Sequence, residues 1–311
     1  VSAPSAALSG TFQPASKKFR LVNVTVKSPA LRSFGNSFLQ NGSQFFQPAS
    51  RLATSAQVDK PFSLHIDLAI LDNGTAQFFD SIESTTPQTS WSSLQFSLKQ
   101  YSSVSADVPK NGSNSFRISG KQGESLTTFT WQGKIHPPNT MQGELQISKI
   151  KSSDIFSTFD TGKLPQTTGL GDLNGTLVLQ KSESKDSTVT QQLIDARVEI
   201  SDFEAVEGNT TILSAERFIC SDARFEGKTM DLGQVSLQNA TANFNYGDAP
   251  AFFSLTNAGE LKLGSLVFEG KANLHGISQK EADLIATELV IKANNLYGPS
   301  EPENNISISS K

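Results

Sequence analysis

The sequence predicts an all-β protein: a long curved antiparallel sheet, gutter- or taco-like or else sandwich-like, built from two stacked repeats with little helix. Three observations carry this. Short segments along most of the 311 residues alternate apolar with polar side chains, the period-2 pattern of strands with one buried face. The composition is rich in Ser, Thr, Asn and Gln and only 18% charged, unlike the Ala/Glu/Lys/Leu mixture of helical chains. Related segments also recur in the same order in the second half.

Taken in order, Phe19 to Val26 reads as a strand with Val22, Val24 and Val26 on one face. Residues 27–58 are irregular, with Pro29, Gly35, Asn41-Gly42 and Pro48; Leu31 to Phe34 could open a short helix. Residues 62–80 are the best-marked stretch. Leu64, Ile66, Leu68 and Ile70 alternate with Ser63, His65, Asp67 and Ala69, and Asp72-Asn73-Gly74 predicts a tight hairpin turn before Thr75 to Phe79 return. Strands follow at Leu94/Phe96/Leu98, Phe116/Ile118, Leu126 to Trp131 and Gly143 to Ile150, with Tyr101–Ser115 as a polar loop.

Pro165, Gly169 and Gly171 mark a joint, dividing the chain into a first β module over 1–160 and a second over 161–311, continuous with it. Beyond it come Leu173/Gly175/Leu177/Leu179, a charged tip at Lys181–Ser187, and the return Ile194/Ala196/Val198/Ile200. Further strands are legible at Phe218–Phe225, Gly233–Tyr246, Phe252–Leu255 and Leu261–Leu274. Ile285–Ile291 reads as strand in preference to helix, because Ile285, Leu289 and Ile291 oppose Glu288 and Lys292.

The repeat is specific. Leu8-Ser9-Gly10-Thr11-Phe12 matches Leu173-Asn174-Gly175-Thr176-Leu177 at an offset of 165 residues. Leu71 to Phe78 (Leu-Asp-Asn-Gly-Thr-Ala-Gln-Phe) matches Leu237 to Phe244 (Leu-Gln-Asn-Ala-Thr-Ala-Asn-Phe) at 166. Trp131-Gln132-Gly133-Lys134 and Phe268-Glu269-Gly270-Lys271 follow in the same order at a shorter offset.

Charge and composition narrow the function classes. A net charge of −4 carries no basic footprint for nucleic acid. No apolar run reaches the length of a membrane-spanning helix. The chain opens Val1-Ser2-Ala3-Pro4 without Met, which predicts a segment of something longer, with any signal or anchor outside it. His65, His136 and His275 stand apart, without metal-ligand spacing, and Cys220 in a strand-like run reads as a small buried side chain. The scattered acids Asp67, Asp72, Asp80, Glu226 and Asp231 form neither an EF-hand nor an acid pair. Asn-x-Ser/Thr sequons such as Asn41, Asn73, Asn111 and Asn174 are Asn-Gly pairs and read as hairpin chemistry. No catalytic residue, metal site or cofactor is predicted. What remains are the apolar rows: Leu64, Ile66, Leu68, Ile70; Leu94, Phe96, Leu98; Phe129, Trp131; Leu145, Ile147; Ile194, Val198, Ile200; and Val235, Leu237. They are either a closed core or a lipid-contacting face.

The motifs Leu8–Phe12, Ile66–Asp80 and Phe129–Ile147, the last containing Trp131, Pro137, Pro138 and Gly143, resemble the AsmA-like proteins, in particular their large periplasmic branch. That resemblance covers most of the chain but neither residues 27–58 nor the family's amino-terminal membrane helix. It implies a gutter with an apolar inner face, and a non-enzymatic segment that conducts phospholipid acyl chains between the inner and outer membranes of a Gram-negative envelope, supporting outer-membrane biogenesis. The location would be periplasmic, with anchoring outside this chain and envelope proteins as partners at the ends. A dozen strands about 4.8 Å apart extend roughly 55–60 Å, a bridging length. The competing expectation is a structural or adhesive β-sandwich array that binds protein or glycan at the cell surface.

Overall fold

The structure, a computed structural model, describes residues 5–14, 17–34, 63–79, 85–87, 89–103, 114–123, 125–137, 140–157, 166–181, 189–226, 229–245, 261–275, 289–297 and 305–310. The protein is all-β. Its strands are β1 (Ser5–Gln13), β2 (Lys18–Lys27), β3 (Ala30–Phe34), β4 (Ser63–Phe79), β5 (Thr89–Ser102), β6 (Ser115–Gln122), β7 (Thr128–His136), β8 (Thr140–Lys151), β9 (Gln166–Lys181), β10 (Val189–Glu207), β11 (Thr210–Glu226), β12 (Thr229–Asp231), β13 (Gln234–Asn245), β14 (Leu261–His275), β15 (Leu289–Tyr297) and β16 (Asn305–Ser310). The one helix among the described residues is the short α1 (Ser152–Ser157). The expected strand at Phe252–Leu255 and the charged tip at 182–187 lie outside the described residues, as does most of the irregular segment.

The strands fall into two compact units, Val1–Leu145 with Val178–Thr190, and Gln146–Leu177 with Gln191–Lys311. In the first unit the strand order is β1-β2-β4-β5-β6-β7, with β3 also on β4, and among the described strands β1 has β2 as its one neighbour; the unit boundaries cut through β8 at Leu145/Gln146 and through β9 at Leu177/Val178. In the second unit the order is β10-β11-β12-β14-β15-β16, with β13 between β11 and β14.

The sheet is mixed, which corrects the antiparallel expectation. Strand β4 runs parallel to β2 and β3, and β14 runs parallel to β12 and β13. Alternation reports which face a residue takes and is blind to strand direction. The long stretches before β4 and β14 are sufficient for the crossovers that parallel pairs require.

The expected hairpin at Asp72-Asn73-Gly74 is a bulge. Strand β4 continues from Ser63 through Phe79, with Asn73 at φ 53° and a register shift against β5 between Leu71 and Gly74. Asn accepts the left-handed conformation because its short polar side chain tolerates it, and a bulge uses that tolerance as a turn does. Along the other edge of β4, β2 gives way to β3 at the same level. The Ser28 amide donates to the Asp72 carbonyl at 2.7 Å, and the Thr75 amide donates to the Pro29 carbonyl at 2.8 Å. Leu31 to Phe34 therefore belongs to a strand on β4, not a helix. A two-residue hairpin does occur at Gly208-Asn209, where Glu207 pairs with Thr210 and Gly208 takes φ 62°. The glycines at 169 and 171, expected to mark a joint, lie inside β9.

In the second unit the core is a cross-strand row. Ile200 pairs with Phe218, Phe218 with Leu237, and Leu237 with Phe268, so four neighbouring strands place apolar side chains side by side on one face. Val198, Cys220 and Val235 form the next row. All seven are buried, Ile200 completely so. The backbone of β9 lies close against Ile200 at Gly169 and Gly171, where any Cβ would collide with it.

Candidate functional site

Directly paired residues on neighbouring strands point to the same face, so the registers sort the predicted apolar rows. In the first unit, Ile66 pairs with Tyr101, Leu68 with Lys99 and Ile70 with Ser97, while Ala69 pairs with Leu98 and Leu71 with Phe96. Leu64, Ile66, Leu68 and Ile70 therefore take one face, and Leu94, Phe96 and Leu98 take the other. The sequence had offered them as parts of one surface.

The face carrying Phe96 is the packed one. Leu98 pairs with Phe116 and Phe96 with Ile118; Ile118 pairs with Trp131 and Gly120 with Phe129. Phe116 meets Trp131 edge-on at 4.6 Å between ring centroids, and Trp91 meets Phe129 edge-on at 4.8 Å. Ala76, Phe78 and Trp91 form a buried cluster with Leu31, Leu94 and Phe129 against it. The Trp131 indole N–H donates to the Gly143 carbonyl at 3.3 Å, and β7 and β8 approach so closely at Gly133 and Gly143 that neither position accepts a Cβ. The Trp-x-Gly and Gly-x-Leu motifs are thus packing devices. In β8, Leu145 and Ile147 are half-buried and alternate with exposed Glu144, Gln146 and Ser148.

The face carrying Ile66 is different. Leu64, Ile66 and Leu68 are half-buried and Ile70 is exposed. Parallel β2 adds Phe19 beside Leu64 and Leu21 beside Ile66, and β1 adds Phe12 opposite Phe19. The Phe12 and Phe19 rings stack at 4.2 Å, yet remain 46% and 40% exposed. A partly open apolar strip therefore crosses β1, β2 and β4. Sequence reasoning missed Phe12, Phe19 and Leu21 as its members, because their place depends on a parallel register that alternation does not encode.

Across β5 the same face turns polar. Lys99 pairs with Ser115 and Ser115 with Lys134; Ser97 pairs with Arg117 and Arg117 with Gln132; Lys121 pairs with Ser92 and with Thr128. On the opposite face, near the start of β4, Arg20 forms an ion pair with Asp67 at 2.9 Å.

The remaining predicted residues lie in the second unit. Val198, Ile200, Val235 and Leu237 are brought together in the buried rows described above. Ile194 is not aligned with them. A bulge at Asp195, φ 52°, sets Leu193 opposite Phe225 and leaves Ile194 half-buried. Phe203 and Ala205 continue the core without any exposure.

Titratable groups in the second unit have structural roles. The Cys220 thiol donates to the Leu232 carbonyl at 3.0 Å, and burial, with Asp231 and Asp222 nearby, pushes its pKa up to about 12. Glu199 accepts hydrogen bonds from Arg217 and Arg197, which hold its carboxyl below the usual range. Among the described residues no three His, Cys, Asp or Glu side chains gather as metal ligands, and no helix is long and apolar enough to cross a membrane.

No protein-family model, curated protein or solved structure matches the chain.

Proposed function

We propose that this chain is a non-enzymatic acyl-lipid-binding β protein whose contact surface is the apolar strip of Leu64, Ile66, Leu68 and Ile70 with Phe12, Phe19 and Leu21. The observation that carries the reading is that two stacked phenylalanines stay nearly half exposed on this strip, while the apolar rows of Val198, Ile200, Val235 and Leu237 in the second unit are sealed. Large apolar side chains held in a contiguous exposed strip mark a binding surface more often than scattered ones do. Each lipid methylene removed from water there gains about 0.8 kcal/mol, so a chain is held firmly overall without any specific lock.

The motif resemblance to AsmA-like proteins supports a wider form of this proposal. The chain would be a periplasmic segment that conducts phospholipid between the two membranes and supports outer-membrane biogenesis. Val198, Ile200, Val235 and Leu237 serve as core in this reading and do not touch lipid. Their packing also favours a second reading, a structural or adhesive β array that binds protein or glycan.

Mass spectrometry of the purified protein tests the proposal, together with photo-crosslinkers at Ile66, Leu68 and Ile200. The expected result is co-purifying phospholipid with lipid adducts at Ile66 and Leu68 and none at Ile200. A lipid-free protein with no adduct at any position overturns it in favour of the array.

A further inference from the structure

We infer that the polar continuation of the Ile66 face, over β5, β6 and β7, receives the phosphate of an anionic lipid head. The inference rests on the acyl-chain reading above and adds the class of lipid.

Strands β5, β6 and β7 contain no Asp or Glu, although the whole chain carries a net charge of −4. Their four cations are Lys99, Arg117, Lys121 and Lys134, and the registers put all four on one face, the face of Leu68. Lys99, Arg117 and Lys134 are exposed, and among the described residues none of the four side chains has an ion-pair or hydrogen-bond partner. Lys99 and Lys134 stand two strands apart across Ser115, roughly 10 Å between backbones, with Arg117 two residues along from Ser115. Ser97, Ser115, Ser119, Thr128 and Thr130 fill the positions between them with hydroxyl donors.

Ion pairs elsewhere among the described residues join Arg20 to Asp67, Arg197 and Arg217 to Glu199, and Arg224 to Glu226; one carboxylate, Glu144 of β8, borders the cationic set and accepts from Gln132 at 3.5 Å, leaving the four cations in excess. A set of uncompensated cations on one face repels itself and is stabilised by an anion. Guanidinium and ammonium groups among hydroxyls supply the donors that phosphate oxygens accept.

The apolar strip borders this set directly, since Leu68 pairs with Lys99. A ligand lying on both has a hydrocarbon chain at one end and a phosphate at the other. Charge complementarity thus commits the occupant to an anionic phospholipid.

Co-flotation of the protein with vesicles of phosphatidylglycerol in phosphatidylcholine, against phosphatidylcholine alone, tests this at low and high salt. The variants are a triple Lys99→Gln, Arg117→Gln, Lys134→Gln and, separately, Leu68→Asp, each checked for folding by circular dichroism. Anionic vesicles are expected to bind far more tightly at low salt. The triple variant should lose about a hundredfold of that affinity, from roughly fivefold per cation, and keep its binding to neutral vesicles. Equal binding to both vesicle types, unchanged in the triple variant, overturns the headgroup inference and leaves the acyl-chain reading standing. Anionic binding lost in the triple variant but untouched by Leu68→Asp upholds the cationic site and overturns the acyl-chain reading. Binding to neither vesicle type overturns both.

Discussion

Asn73 and Asn239 occupy the same backbone state at the same place in two related segments. Each lies inside a long strand, at φ 53° and 49°, and each stands at a register shift, Leu71/Gly74 in β4 and Leu237/Ala240 in β13. They are the matched asparagines of the internal repeat, 166 positions apart. The repeat therefore preserves a β-bulge, with the flanking Leu71 and Leu237 on the apolar side of their strands.

Substitution should separate conformation from side-chain contact. Asn73→Gly leaves the left-handed conformation accessible and is expected to hold stability within about 0.5 kcal/mol. Asn73→Val and Asn239→Val force a β-branched residue into that region and should each cost roughly 1–2 kcal/mol. Asn239→Gly should also lose a little, since the Asn239 amide donates to Glu216 at 2.6 Å. Urea midpoints of the four variants measure this. Equal losses for Gly and Val at 73 would refute the conformational account.

Much of the fold was legible in the sequence because period-2 alternation reports burial directly. Ile200 and Leu237 were placed on inward rows by it, and both are buried. Two things were hidden. Asn73 signals a positive φ, but the same signal serves a hairpin and a bulge, and only the neighbouring strands β2, β3 and β5 decide between them. A bulge also shifts alternation by one. For that reason Ile194, in phase with Ile200 on paper, gives way to Leu193 in the structure. The candidate strip was half legible. Leu64 to Ile70 stood out, but their separation from Phe96 and Leu98 required the β4–β5 register.

Cys220 should be inert in the native protein. Its thiol pKa of about 12 leaves almost no thiolate at neutral pH, and burial blocks access. A thiol reagent at pH 8 is expected to label it only in denaturant. Because the folded value lies above the usual 9, the stability it contributes is complete below pH 9 and is lost as pH rises from there toward 12. Cys220→Ala should flatten that alkaline loss. Rapid labelling without denaturant would contradict the buried placement.

Glu199 gives the opposite pH dependence. Its carboxyl is lowered first by the hydrogen bond from Arg217 and then by that from Arg197. A depressed folded value means that the stabilisation is present above the ordinary 4.5 and is lost as pH falls through the lowered folded value. Glu199→Gln should lower the melting temperature slightly at pH 7, the difference should shrink as the pH falls below 4.5, and added salt should also reduce it, because the group is part-exposed. A gap that stays constant as the pH falls would point to packing instead of charge.

A last pair of variants asks which apolar row is surface and which is core. Leu68 is half-buried, opposite Lys99, whereas Ile200 is fully buried beside Phe218. An aspartate at 68 keeps access to water and gains a cation across the strand, so Leu68→Asp should cost no more than about 1 kcal/mol and remain folded. An aspartate at 200 is stripped of water with no cation paired opposite, and the penalty should exceed about 4 kcal/mol, enough to unfold the second unit. Thermal melts and circular dichroism read the folding of both. Lipid adducts at Ile66 are then measured on the Leu68→Asp protein. Folded protein with the adduct abolished is the expected result, because a charge in the middle of the strip makes acyl contact unfavourable. Unfolding of both variants would mean that the strip is ordinary core and that Phe12 and Phe19 have no ligand to receive.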